Sequence, residues 1–178
     1  MDNDVEVTST GKIEIKRLLA ASRETVWRFL VEDDLRGRWL CNGDVEPKEG
    51  GLIQFRFDTN KLGATLPTAA PGEAFKAQFD GTVTTFSPPE LLAFTWPETE
   101  RGESTTVTIK LIELGEQTLL HLVHEKLFDK ENLVGASAGW HAHLEQLECH
   151  LSRKLSPNFW KRHQELDAAY RKKLSETN

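Results

Sequence analysis

Cysteine is scarce in this 178-residue chain, which holds only Cys41 and Cys149. Two cysteines cannot build a disulfide framework, and both read as reduced thiols with no neighbouring motif that would mark a nucleophile. The fold must therefore rest on a packed core, which a single domain of this length can bury. Basic residues are the minority charge, with 22 Lys and Arg against 28 Asp and Glu and a net charge of −6. At a pI near 5.6 the chain is poorly suited to nucleic acid, whose affinity comes from neutralising phosphates with Lys and Arg. Long hydrophobic runs are also missing, all falling far short of the roughly 20 residues that span a bilayer. Met1-Asp2-Asn3-Asp4 lacks the basic start and apolar stretch of a secretory signal, so the expected location is cytosolic.

The motifs of several enzyme classes are absent too. There is no Gly-x-Ser-x-Gly elbow, no Gly-rich phosphate loop and no His-Glu-x-x-His pair. Six histidines invite a metal reading, but their spacing opposes it. His121 and His124 point to opposite faces of a strand. His141 and His143 diverge around a helix, and His150 lies two turns beyond His143. No cysteine pair has zinc spacing, so neither a metal nor another cofactor is expected.

What is present is a run of strand-like segments followed by one long apolar helix. Lys12 to Leu19 alternates Ile13 and Ile15 with polar residues, as a first strand does. Ser22 offers an N-cap, Glu24 suits the positive end of the dipole, and Val26, Trp27, Phe29 and Leu30 give the helix an apolar face. A second short helix or turn spans Asp33 to Leu40 and ends on the bulky Trp39. Strands are expected at 52–58, from 75 through the alternation to 83 until Pro88-Pro89 breaks it, and at 92–96, 105–111 and 118–124. Such close spacing favours antiparallel pairing. The stretch 61–73 has neither period and reads as a loop near a cavity entrance. Leu127 to Ser137 reads as a connector.

Trp140, Leu144, Leu147 and Leu151 then recur at helical spacing from Gly139 onward. A helix arriving after so many strands lays its apolar face on their sheet, and the two layers can enclose a cavity. The predicted architecture is α+β: a curved antiparallel sheet wrapped around this helix, with two short helices after the first strand. Residues 1–7 read as a flexible N-terminus and 8–152 as the domain. Residues 153–178 read as a helical extension packed on it, with Phe159, Leu166, Tyr170 and Leu174 in one stripe and a dimer contact as the sharper alternative.

The order of these landmarks resembles a known family. Thr25-Val26-Trp27, Arg38-Trp39, Gly50-Gly51, Gly81-Thr82-Val83, the run Ser87 to Trp96, Thr118 to His124 and Gly139-Trp140 together look like the activator of Hsp90 ATPase homologue 1-like group. That group belongs to the START/Bet v1-like, or SRPBCC, superfamily. The resemblance implies a helix-grip domain with a deep hydrophobic cavity, an inward histidine at position 124, and a link to chaperones and stress responses. It is borne by residues 8–152, while the Pro157-Asn158-Phe159-Trp160 tail resembles an extension found in a bacterial subgroup.

Phe55, Phe57, Phe79, Phe94, Trp96 and Trp140 fall on predicted inner faces and make an apolar lining, which is what small-molecule sites require. With Trp39, Leu144 and the polar His124 and His143 they form the candidate ligand-binding set. The leading expectation is non-enzymatic binding of a hydrophobic or aromatic small molecule, with no catalytic residue assigned. A chaperone-binding module is the alternative, and a cyclase-like enzyme a second one.

Overall fold

The computed structural model of the chain describes residues 5–8, 11–58, 62, 76–97 and 103–176. A short strand β1 (Val5–Thr8) precedes β2 (Lys12–Leu19), and two short helices follow, α1 (Arg23–Val31) and α2 (Asp33–Arg36). Five further strands complete the sheet: β3 (Leu52–Asp58), β4 (Lys76–Ser87), β5 (Leu91–Pro97), β6 (Ser104–Leu114) and β7 (Gln117–Glu125). Two helices close the chain, α3 (Lys130–Leu151) and α4 (Phe159–Glu176). The strands form one antiparallel sheet in the order β1-β2-β7-β6-β5-β4-β3. With α3 laid across it, this is the α+β helix-grip arrangement expected from the sequence.

Alternation decides which face turns inward. Ile13, Ile15 and Leu19 of β2, Leu120 and Leu122 of β7, and Val107, Ile109 and Leu111 of β6 are all buried on the side facing α3. Leu92 and Phe94 of β5 and Ile53, Phe55 and Phe57 of β3 continue the same layer. Arg17 keeps this parity and is buried as well, its Nη1 donating to the Lys16 carbonyl.

Ser22 caps α1 as expected, its hydroxyl accepting from the Thr25 N–H at 3.3 Å. Beyond α2 the chain is tied down by buried polar contacts. The Arg36 guanidinium donates to the carbonyls of Cys41, Gly43 and Gln54 and lies over the Phe55 ring. Asp33 accepts from the Gly43 N–H and the Asn42 amide, which holds residues 42–45 against β3. Burial pushes the Cys41 thiol up to about 11, so it stays protonated and unreactive.

Two elements differ from the sequence reading. Residues 5–8 pair with β2, so the stretch read as a flexible N-terminus contains a strand. β4 runs to Ser87 and stops at Pro88-Pro89 as expected, with a register shift between Val83 and Thr85. The largest difference is α3, which begins at Lys130 rather than Gly139 and absorbs most of the expected connector. Asp129 caps it by accepting from the Asn132 N–H at 2.9 Å. The expected loop at 61–73, Leu62 apart, lies outside the described residues.

One strand position tolerates no side chain. A Cβ built on Gly81 would sit 2.1 Å from the Thr95 carbonyl oxygen of the neighbouring strand. Gly81→Ala is therefore expected to lower stability by about 2 kcal/mol or more in urea melts, since rigid backbone must move.

Candidate functional site

A cavity of about 420 Å³ lies between α3, the ends of β5, β6 and β7, and the start of α4. Its walls are mostly apolar and aromatic: Leu40, Phe57, Trp96, Leu127, Trp140, Phe159 and Trp160. Part of the space lies over two α3 positions that carry no side chain. Gly135 and Gly139 lie one turn apart on the cavity wall, and a Cβ added at either would meet nothing within 4 Å. Ala136 extends the same small-residue surface.

The polar groups on the walls divide into two sets. In the first, Trp140 Nε1–H donates to His124 Nδ1 at 3.0 Å. Thr105 donates its hydroxyl proton to the Trp96 carbonyl at 3.1 Å, so it must accept from His124 Nε2–H at 2.7 Å. The relay fixes His124 as the neutral tautomer with its proton on Nε2. Burial agrees, lowering its pKa to about 4. Both ring nitrogens are occupied, so His124 has no free position for accepting or delivering a proton to a bound molecule.

The second set is less committed. His143 donates Nδ1–H to the Trp39 carbonyl at 2.7 Å, because a carbonyl can only accept. Burial again lowers its pKa to about 4, with the nearby His163 acting in the same direction. His163 of α4 is itself lowered by burial and stacks on Trp160 at 5.5 Å. Phe159 lies beside both imidazoles, 4.6 Å from His143 and 6.0 Å from His163 between ring centres.

α4 is held to α3 by a buried polar contact and an ion pair. Arg162 grips Glu145 through two bonds of 2.8 and 2.7 Å, and His141 bridges Tyr170 and Glu145. Burial alone would raise the Glu145 carboxyl, but the hydrogen bonds from Arg162 and His141 outweigh it and hold the pKa near 2. The expected stripe is present: Phe159, Leu166 and Tyr170 are buried and Leu174 is half-buried.

Of the residues proposed from sequence, the structure brings Phe57, Trp96, His124, Trp140 and His143 to the cavity. The others lie off its wall. Trp39 is buried with its indole N–H donating to the Phe29 carbonyl, and Leu144 is buried in α3. Phe55, Phe79 and Phe94 form an aromatic cluster behind Phe57 and Trp96, with Phe55 5.0 Å from Phe79 and 4.9 Å from Trp96. Sequence reasoning missed Thr105, Gly135, Phe159, Trp160 and His163. Only the Gly135–Gly139 spacing could have flagged the gap in α3, and only after the helix had been extended back to Asp129. Among the described residues, no three His, Cys, Asp or Glu side chains cluster as metal ligands, and no helix is long and apolar enough to cross a membrane.

A curved sheet gripping a helix over an aromatic cavity defines the START/Bet v1-like class of domain. The profile of the Activator of Hsp90 ATPase homolog 1-like protein family matches residues 20–152, and the chain belongs to that family. A Bordetella parapertussis protein solved by NMR is 30% identical, with a TM-score of 0.79 over 95% of this chain and 89% of its own. CalU16 from Micromonospora echinospora is similar in fold, with 23% identity, a TM-score of 0.63 and 94% and 92% of the two chains covered. So is a conserved protein of unknown function from Enterococcus faecalis, with 19% identity, a TM-score of 0.69 and 99% and 92% covered. No curated protein matches the chain. α4 begins beyond the matched segment.

The buried histidines set a pH dependence. His124 and His143 titrate near 4 in the fold against an ordinary value of 6.5, so unfolding takes up protons below that pH. Their effect is absent above pH 6.5, grows as the pH falls, and levels off below 4. Near pH 5 the two groups together should lower stability by about 2 kcal/mol per pH unit, and His143→Gln should halve that slope in pH-dependent melts. Trp140→Phe keeps an aromatic side chain but removes the donor to His124 Nδ1. It should cost about 1–3 kcal/mol and raise the His124 pKa in NMR titrations, because the neutral ring loses its stabilising bond.

Proposed function

We propose that the chain binds an apolar small molecule in the cavity between α3, the sheet and α4, in the cytosol and without chemistry. The observation that carries this reading is a wall of aromatic rings facing an α3 surface emptied at Gly135 and Gly139. A void of about 420 Å³ is within the range of small-molecule pockets, which are predominantly apolar with few polar groups. The engaged state of His124 supports binding over a cyclase-like reaction, because both of its nitrogens already hold partners. The chaperone-binding alternative is carried by the family description rather than by a surface feature. Adding the protein to a cognate Hsp90 is expected to leave ATP turnover unchanged; a saturable, severalfold rise would establish that alternative instead.

Filling the void tests the binding reading directly. Gly139→Leu places a side chain where nothing stands, so the fold should survive with a helix gain of up to about 1 kcal/mol. The same change should abolish binding of an apolar fluorescent dye and release any small molecule that native mass spectrometry finds with the purified wild type. Unchanged dye affinity in a folded Gly139→Leu protein would refute the site.

A further inference from the structure

The chemistry of the occupant can be taken further from one atom on the cavity wall, on the proposed reading that the cavity is a binding site. His143 spends its Nδ1–H on the Trp39 carbonyl, a bond that fixes the ring as the Nδ1–H tautomer. Nε2 is then a bare acceptor lone pair, and it takes no hydrogen bond among the described residues. It contrasts with His124 on the same cavity, whose two nitrogens are both partnered. An apolar occupant that covered Nε2 would leave this acceptor unsatisfied inside the protein, which is unfavourable.

The surroundings restrict the partner further. His143 packs in tilted contact with Phe57 at 5.9 Å and Phe159 at 4.6 Å, and α4 continues the wall with the His163–Trp160 stack, its planes 15° apart. Flat rings on several sides suit a flat occupant. A carboxylate is disfavoured at His143, because it would face the Nε2 lone pair rather than a donor. A cation could meet Glu131, but that carboxylate is already paired with Arg171 at 2.6 Å.

We propose that the cavity takes an uncharged aromatic molecule that donates a hydroxyl or N–H hydrogen bond to Nε2 of His143. The Trp39 carbonyl is then a positioning group: it sets the tautomer that makes Nε2 an acceptor. Rings contributed by Phe57, Phe159 and Trp160 supply the stacking surface, so α4 forms part of the site rather than an appendage to it.

Three naphthalenes of one shape test this by calorimetric titration at pH 7: 2-naphthol, 2-methoxynaphthalene and 2-naphthoate. The naphthol should bind about tenfold more tightly than the ether, which has the oxygen but no proton to give. His143→Phe should erase that preference, bringing the naphthol and the ether to equal affinity. Should that variant not fold, the wild type still decides: the ¹⁵N resonance of His143 Nε2 should shift with the naphthol and not with the ether. Equal affinity for naphthol and ether, or an unmoved Nε2 resonance, would overturn the inference and leave the cavity reading intact. Tightest binding of the naphthoate, with proton uptake, would also overturn it, in favour of an anion site. If none of the three binds, the inference and the proposed function fall together.

Discussion

Directional hydrogen bonds between buried polar groups set how the elements of this protein meet. The Trp140–His124–Thr105–Trp96 relay joins α3 to three strands through one unbroken line of donors and acceptors. Hydrophobic packing would allow the helix to slide on the sheet, since apolar contact has no direction. The relay does not, because each proton has one place to go. The same rule applies to Arg36, whose guanidinium collects carbonyls from the loop after α2 and from β3. Directional bonds locate the elements, and the aromatic layer fills between them.

These constraints hold open a space that packing alone would close. With α3 fixed by its relay and by the ion pair to α4, the wall at Gly135 and Gly139 cannot collapse toward the strands. The imidazoles around that space are kept neutral by burial, so the cavity is a low-charge environment in a protein whose surface is acidic.

Much of the fold was legible because period-two alternation is a local signal. Ile13 and Ile15, or Phe55 and Phe57, declare their strand and its inner face within a few residues. His124 could be placed inward for the same reason, through its parity with Leu120 and Leu122. The start of α3 was not legible, because two glycines and Ser137 imitate a loop and outweigh the Asp129 cap. Nor could the cavity's far wall be read. Phe159, Trp160 and His163 reach the site only through the way α4 folds back along α3, where contacts such as Arg162 with Glu145 and Tyr170 with His141 join residues distant in sequence. The split of the aromatic set is equally tertiary: Phe55 and Phe57 share one face, yet only Phe57 reaches the void.

Gly135 and Gly139 have a consequence for how such a protein can diversify. Side chains are absent at these two points of the wall, and a Cβ added at either would contact nothing. Changing the residue at either position alters the room available in steps of one or two carbon atoms while leaving every relay and ion pair in place. The dimensions of the interior are thus decoupled from the integrity of the scaffold. A lineage carrying this arrangement can resize its chamber by single substitutions, without passing through unfolded intermediates.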